Sequence, residues 1–526
     1  SYIYFRLQAC FLQLQALSHS LPYNILNMKS VRIIIFAIAV AKISFAQQMM
    51  LPLEKNNYQK VTSYTQLTEF INQLDQQSGL LKVETIGQSV QGRNLYALKF
   101  SSGEFGKDKS KLKVLFLAQQ HGNEQSGKEG ALMLAQSLIK PENKFLFDKL
   151  DIVIIPQMNP DGSEVNNRRN GNNADLNRNH LVLTEPETQA LHRFFDKYLF
   201  DVTMDVHEYA PYGGDWQKYG YRRNASETLG VNTNPNVSEQ IRAFSNKEVF
   251  PYWSKYLTDN KFNNAIYAPG GPPEQDYIRH STFDVNDGRQ SFGILNSLSF
   301  IQEGLNGEDT YVDNIRHRAE GQMTGMRAIL QFAYLHQGEI KKMVADGRKV
   351  LVSGKANPKV SIQSEHAANG QKLSITLLSY TTNTDTVVVV NDYRPVVKSI
   401  YDVTKPAGYL VPAENKKLMD WVQRHTLTYS PFKNQKGYKI EQYTIKSIDS
   451  IDFERDIIIN PQVEANAYTG TIGEGDYIFI PTAQLKGNMV VLALEPKSEL
   501  GLVTYPLFAD LLKIGEKFPV LRVSKK

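Results

Sequence analysis

The chain has a single cysteine among 526 residues, Cys10, and it lies in a doubtful N-terminal segment. An intramolecular disulfide is excluded, and cysteine supplies neither a zinc ligand nor a nucleophile to the body of the protein. Charge of one sign never accumulates: 59 Lys and Arg face 54 Asp and Glu, a net +5 without long basic runs. That excludes the electrostatic footprint of a nucleic-acid binder and points to no partner by charge. The apolar run from Ile33 to Ala41 is far shorter than the roughly 20 residues that cross a bilayer. No repeat of useful period and no low-complexity tract occurs.

What is present is an ordinary globular composition, 41% hydrophobic and 21% charged, enough for two or three domains with a sizeable core. Residues 28–46, "MKSVRIIIFAIAVAKISFA", combine a short basic start, an apolar run and small residues at Ser44 and Ala46. This is the pattern of a secretory signal peptide, and with no membrane anchor after cleavage it predicts a secreted or periplasmic protein. Residues 1–27 precede a plausible start methionine, read as translated upstream sequence, and are set aside. A mature chain from Gln47 would then contain no cysteine, which fits a bacterial export route with stability supplied by core size.

From residue 47 to about 340, apolar runs alternate with helical patterns. Strands are expected at 112–118, 150–160, 200–209 and 292–301, and helices at 128–139, 187–199 and 311–335. Continuous apolar strands between helices predict an α/β fold, a mostly parallel or mixed, doubly wound sheet with helices on both faces. "NASETLGVNTNPN" and "APGGPPEQ" read as loops. From 341 to 526 the texture becomes short β-rich runs such as "KLSITLLSY" and "DTVVVVNDY", with helix candidates only at 413–425 and 506–515. A smaller β-rich, sandwich-like accessory region is expected there.

Ligands of such sheets sit beyond the carboxyl ends of the strands. His121 and Glu124 follow "KVLFLA", His207 follows "FDVTMDV", and Glu303 follows "FGILNSLSFIQ". Two histidines and a carboxylate, with a position open for water, form a common catalytic zinc set, and a further carboxylate can act as base. Each residue alone is ordinary: a His-x-x-Glu pair occurs often by chance. Their joint placement gains weight from "NPDGSEVNNRRNGNNADLNRN" (159–179), which brings Arg168, Arg169 and Arg178 into a loop rich in Asn and Gly. Guanidinium groups beside such a site suit an anionic substrate group.

Taken together, "HGNE" with Gly127, "NPDG", "RRNGNNADLNRN", the His207 strand and the Glu303 strand resemble the M14 zinc carboxypeptidases, in that family's order, over about residues 55–335. The resemblance implies one Zn2+ held by His121, Glu124 and His207, with Glu303 as general base. It implies Arg168 as the group that stabilises the oxyanion, with Arg169 as the alternative. Asn177 and Arg178 would hold the substrate's terminal carboxylate, and Asp175 would orient His121. The implied substrate is a peptide with a free C-terminal carboxylate.

The pattern departs from the family in one place: its active-site tyrosine has no clean match, and Tyr277 in "PPEQDYIRH" is the nearest candidate. "SFGILNSLSFIQEG" and the C-terminal "GDYIFIPTAQLKGNMVVLALEPKSELGLVTYPLF" look like a bacterial, exported subgroup. Arg289 reads as a solvated loop residue, with an extra anion contact as the alternative, and His336, His366 and His425 as surface or linker residues. Gly122 and Gly127 read as conferring the freedom that turns His121 and Glu124 toward one metal. Two competing functions use the same residues: a zinc amidohydrolase acting on N-acyl amino acids or cell-wall peptides, and a non-catalytic zinc-containing binding protein. The latter would need its base missing, and Glu303 argues against that.

Overall fold

The structure, a computed structural model, describes residues 49–211, 215–307, 312–353, 359–433, 437–453 and 456–525. The expected signal peptide and residues 1–27 lie outside the described residues. Among the described residues, ten strands precede residue 306: β1 (Leu81–Gln88), β2 (Asn94–Phe100), β3 (Leu112–Ala118), β4 (Leu150–Ile155), β5 (Val202–Tyr209), β6 (Tyr221–Arg223), β7 (Glu227–Gly230), β8 (Asn264–Ile266), β9 (Ile278–Arg279) and β10 (Leu298–Leu305). Eight of them build the main sheet in the order β1-β2-β4-β3-β5-β10-β7-β8. Its centre is parallel, through β4-β3, β3-β5 and β5-β10. Antiparallel pairs β2-β4 and β10-β7 flank that centre, so the sheet is mixed, as expected.

The central strands are parallel because they can be buried on both faces. β4, "LDIVII", is buried at every position, and β3 and β5 nearly so. Helices Gln125–Leu138 and Ile315–Leu335 pack on β3, β5 and each other. The close approach of these two helices requires Gly130, where a Cβ would stand 2.7 Å from the Ala319 carbonyl oxygen.

Two expectations are corrected. The apolar run 292–301 begins in a helix, Gly288–Gly293, whose N-cap is Asp287, and the strand starts only at Leu298. A short buried apolar run fits either element, so periodicity could not separate them. "NASETLGVNTNPN" is not wholly loop: Glu227–Gly230 forms β7 on β10. No helix among the described residues is long and apolar enough to cross a membrane.

Helix Gln337–Val352 leads into strands β11 (Lys359–Ala367), β12 (Leu373–Ser379), β13 (Asp385–Val390), β14 (Tyr393–Arg394), β15 (Val396–Thr404), β16 (Gly408–Pro412), β17 (Ser430–Pro431), β18 (Tyr438–Phe453), β19 (Asp456–Ala467), β20 (Tyr477–Pro481) and β21 (Lys517–Lys525). Six of these form a sheet ordered β17-β20-β16-β21-β18-β19. β12 adds to β6, and β14 to β9, both in the earlier part of the chain. One hydrophobic cluster runs from Leu115, Leu117 and Ile155 of the main sheet through Phe195 and Phe292 to Trp421, Tyr409 and Val490. The β-rich part therefore packs directly behind the residues that follow the main strands.

Candidate active site

The chain leaves β3 through Gln119, whose φ of 58° lies in the left-handed region. Gln119 is fully buried and donates to the Gly122 carbonyl, Gln125 Oε1 and Ser163 Oγ. This residue, rather than a glycine, makes the turn. Gly122 and Gly127 both have negative φ, and what they provide is room. A Cβ on Gly122 would lie 2.2 Å from the Gly162 carbonyl carbon, and one on Gly127 would lie 3.1 Å from Val206 Cγ1. Asn159 fastens the neighbouring loop, donating from Nδ2 to the carbonyls of Gln120 and Arg168. Its Oδ1 accepts from Gly162 N, capping the helix Pro160–Glu164.

These contacts bring the three expected ligands together. His121, Glu124 and His207 each present a donor atom within 4.8 Å of the others. Glu124 Oε1 lies 2.7 Å from His121 Nδ1, and its Oε2 lies 2.9 Å from His207 Nδ1. Burial opposes the charge of Glu124, but the two imidazoles outweigh it and hold its carboxyl well below the usual range. Both rings thus turn Nδ1 inward, and Nε2 of each faces a carboxylate. His121 Nε2 is 3.1 Å from Asp175 Oδ1, and His207 Nε2 is 2.9 Å from Asp205 Oδ1, close but poorly aligned for a hydrogen bond. Two imidazole nitrogens and one carboxylate, backed by carboxylates, are a donor chemistry that fits a divalent transition metal such as zinc.

The remaining residues converge on the same place. Parallel pairing of β5 and β10 sets Glu303 beside His207. Burial pushes the Glu303 carboxyl up; nearby His207 opposes this and Glu124 adds to it. Arg168 donates from Nε to Asp175 Oδ2 at 3.0 Å, and its Nη1 lies 3.2 Å from His121 Nδ1. Arg169, the alternative, instead donates outward to the Asn173 carbonyl. His121, Glu124, Arg168, Asn177, Arg178 and Glu303 all line one cleft of about 280 Å³. Burial works against the charge of Arg178, but Asp284, Asp175 and Asp287 around it keep it protonated.

Tyr277 is not among the residues lining this cleft; the Arg394 guanidinium covers its ring at 3.8 Å. Tyr209 and Tyr267 line the cleft instead. Burial, reinforced by Glu303, raises the Tyr267 phenol above its ordinary value. Nothing in the sequence marked Tyr267, because a tertiary turn after β8 delivers it. Asp205 did have a signal: two residues before His207 on one strand, it shares that residue's face.

Arg289 is not solvated. It is 1% exposed, donates to Ser281 Oγ and Thr282, and lies 5.7 Å from the Tyr267 ring. His366 and His425 are likewise buried rather than surface residues, and burial pushes both imidazoles down to about 3.

Comparison with known proteins adds an independent line. Residues 67–282 match the family model described as zinc carboxypeptidase. The chain is 21% identical over 460 residues to Carboxypeptidase 2 of Trichophyton rubrum, covering 83% of this chain and 82% of that protein. It is 27% identical over 262 residues to the Carboxypeptidase N catalytic chain of Homo sapiens, covering 39% and 57%. Among solved structures, a metallo-carboxypeptidase from Burkholderia cenocepacia aligns over 51% of this chain and 68% of that one, at 20% identity and a TM-score of 0.41.

Proposed function

We propose that this chain, whose residues 67–282 match the zinc carboxypeptidase family model, is a metallocarboxypeptidase that hydrolyses the C-terminal peptide bond of peptides, using one Zn2+ that His121, Glu124 and His207 would hold. Zinc held by these three residues would supply Lewis-acid chemistry, lowering the pKa of water and polarising a carbonyl. Glu303, its carboxyl raised by burial, takes the proton from the attacking water and delivers it to the departing nitrogen. Arg168, already beside His121, is placed to stabilise the negative charge that develops on the scissile carbonyl oxygen. Asp175 holds both His121 and Arg168, so one carboxylate sets the spacing between ligand and oxyanion donor. Tyr267 replaces Tyr277 as the cleft's candidate proton-donating phenol.

The observation that carries this reading is the presence of Asn177 and Arg178 in the same cleft as the ligand cluster and Glu303. A guanidinium and an amide beside such a cluster select an anion at a fixed distance from the bond to be cut, and a chain end supplies that anion. Hydrolysis of paired peptides with free and amidated C-termini tests it directly. The parent should strongly favour the free acid, and Arg178→Ala should raise KM for it by roughly 10- to 100-fold, the cost of a charge-assisted contact. Equal cleavage of the amide by the parent would remove the carboxylate clamp.

The export pattern at 28–46 and the "SFGILNSLSFIQEG" segment support assignment to an exported, bacterial branch acting in the periplasm or outside the cell. Residues 341–526 act as an accessory region that braces the catalytic part. Supporting this, Trp421 Nε1 donates to the Leu181 carbonyl at 2.9 Å, just beyond Asn177 and Arg178.

A further inference from the structure

Behind the cleft, Gln120 is fully buried and stands where three functional elements meet. Its Nε2 donates to Asp205 Oδ2 at 2.7 Å and to Asn177 Oδ1 at 3.2 Å. Its Oε1 lies 2.7 Å from His180 Nε2, and His180 Nδ1 lies 3.0 Å from His192 Nε2. These contacts allow one proton arrangement. A carboxylate can only accept, so the Gln120 amide nitrogen faces Asp205, which leaves its oxygen for His180. His180 must then donate from Nε2, and a neutral ring must accept at Nδ1 from His192 Nε2. Burial favours that neutral form, pushing His180 down to about 4. Every donor in the row points toward Asp205, whose other oxygen is 2.9 Å from His207 Nε2.

The second branch acts on substrate binding. Asn177 Oδ1 accepts from Gln120 and from Gly288 N at 2.7 Å, so the amide oxygen is turned away and Nδ2 is on the cleft side, 3.4 Å from His207 Nε2. The site has no slack: a Cβ on Gly288 would stand 2.6 Å from both Gln120 Nε2 and Asp205 Oδ2. Resting on the carboxypeptidase reading above, we infer that Gln120 is a positioning residue, oriented by His180 and His192, that jointly sets the Asp205 carboxylate against His207 and the Asn177 amide toward the substrate. One side chain then couples metal retention to recognition of the terminal carboxylate.

Gln120→Met keeps the volume and removes the donors; Gln120→Glu keeps the shape and puts an acceptor against Asp205. Two quantities are read on the full chain: the zinc dissociation constant by chelator competition, and the ratio of kcat/KM for free-acid over amidated peptide. Removal of an outer partner of a metal ligand costs roughly 10- to 100-fold in affinity. Gln120→Met should weaken zinc about tenfold on that scale and lower the ratio, and the near-isosteric Gln120→Glu should do worse. A purely space-filling residue would show the reverse order. His180→Leu, which removes the donor to Gln120 Oε1, should shift both quantities in the same direction and serves if the Gln120 variants do not fold. Unchanged zinc affinity and ratio in folded Gln120→Met or His180→Leu, or Glu milder than Met, overturns the inference. A parent that binds zinc but does not prefer the free acid overturns the carboxypeptidase reading instead, and the zinc arm still tests the Asp205 branch.

Discussion

The centre of the main sheet and the β18–β19 hairpin are both rich in Val and Ile, yet polar residues in them do different things. In β5 and β10, Thr203, Asp205, His207, Ser299 and Gln302 are all buried. Each has a partner: Thr203 and Ser299 share a hydrogen bond, Gln302 donates to Glu227, and Asp205 and His207 face one another. In the hairpin, Lys446 and Glu464 pair across the strands while remaining 57% and 54% exposed. Burial makes an unsatisfied polar group costly, so polar residues persist in the sheet centre only where a partner or a chemical task holds them. On the hairpin the solvent does that work, and the same residue types carry little information.

The sharpest break of this comparison is at the sheet centre. Glu303→Gln, a change of one atom type, should lower kcat/KM on a free-acid peptide by roughly 10²- to 10⁴-fold, the range of general acid-base catalysis, with the melting temperature little changed. Retained activity would place the base elsewhere. Between the two regions stands Trp421, fully buried in the shared hydrophobic cluster. Trp421→Ala should cost about 3–5 kcal/mol in urea unfolding, as large core truncations do.

A smaller effect follows from the buried histidines beside that cluster. His425 is held down to about 3 by burial, with Lys486 adding to it, whereas unfolded histidine titrates at about 6.5. Between those values the unfolded chain binds a proton that the folded one does not, so stability is intact above about pH 6.5 and falls as pH drops toward 3. His425→Gln should flatten this slope, measured as urea midpoint against pH; an identical slope would show that His425 does not contribute. The smallest effect belongs to the hairpin. Ile457 is 72% exposed, and Ile457→Ser should change stability by less than about 0.5 kcal/mol.

The candidate metal cluster was legible because each member follows an apolar strand, and a parallel sheet gathers those strand ends at one edge. His121, Glu124, His207, Asp175 and Glu303 all reach the same neighbourhood. Gly122 and Gly127 were noticed for the wrong property: they provide room for close packing, while Gln119 takes the left-handed turn. Arg289, His366 and His425 read as surface residues because composition alone says that charged and polar groups lie outside.

What the sequence determined by itself was local: strand ends, helix periods, and the order of metal-competent residues along the chain. These follow from side-chain patterns repeated every two or three to four residues, which need no partner to be read. Which tyrosine faces the cleft and where Arg289 is buried depended on tertiary packing, and how Gln120 joins Asp205 to Asn177 depended on contacts between residues about 60 to 110 positions apart. Long-range packing decides those, because a buried amide or guanidinium is stable only where the fold brings its hydrogen-bond partners to it.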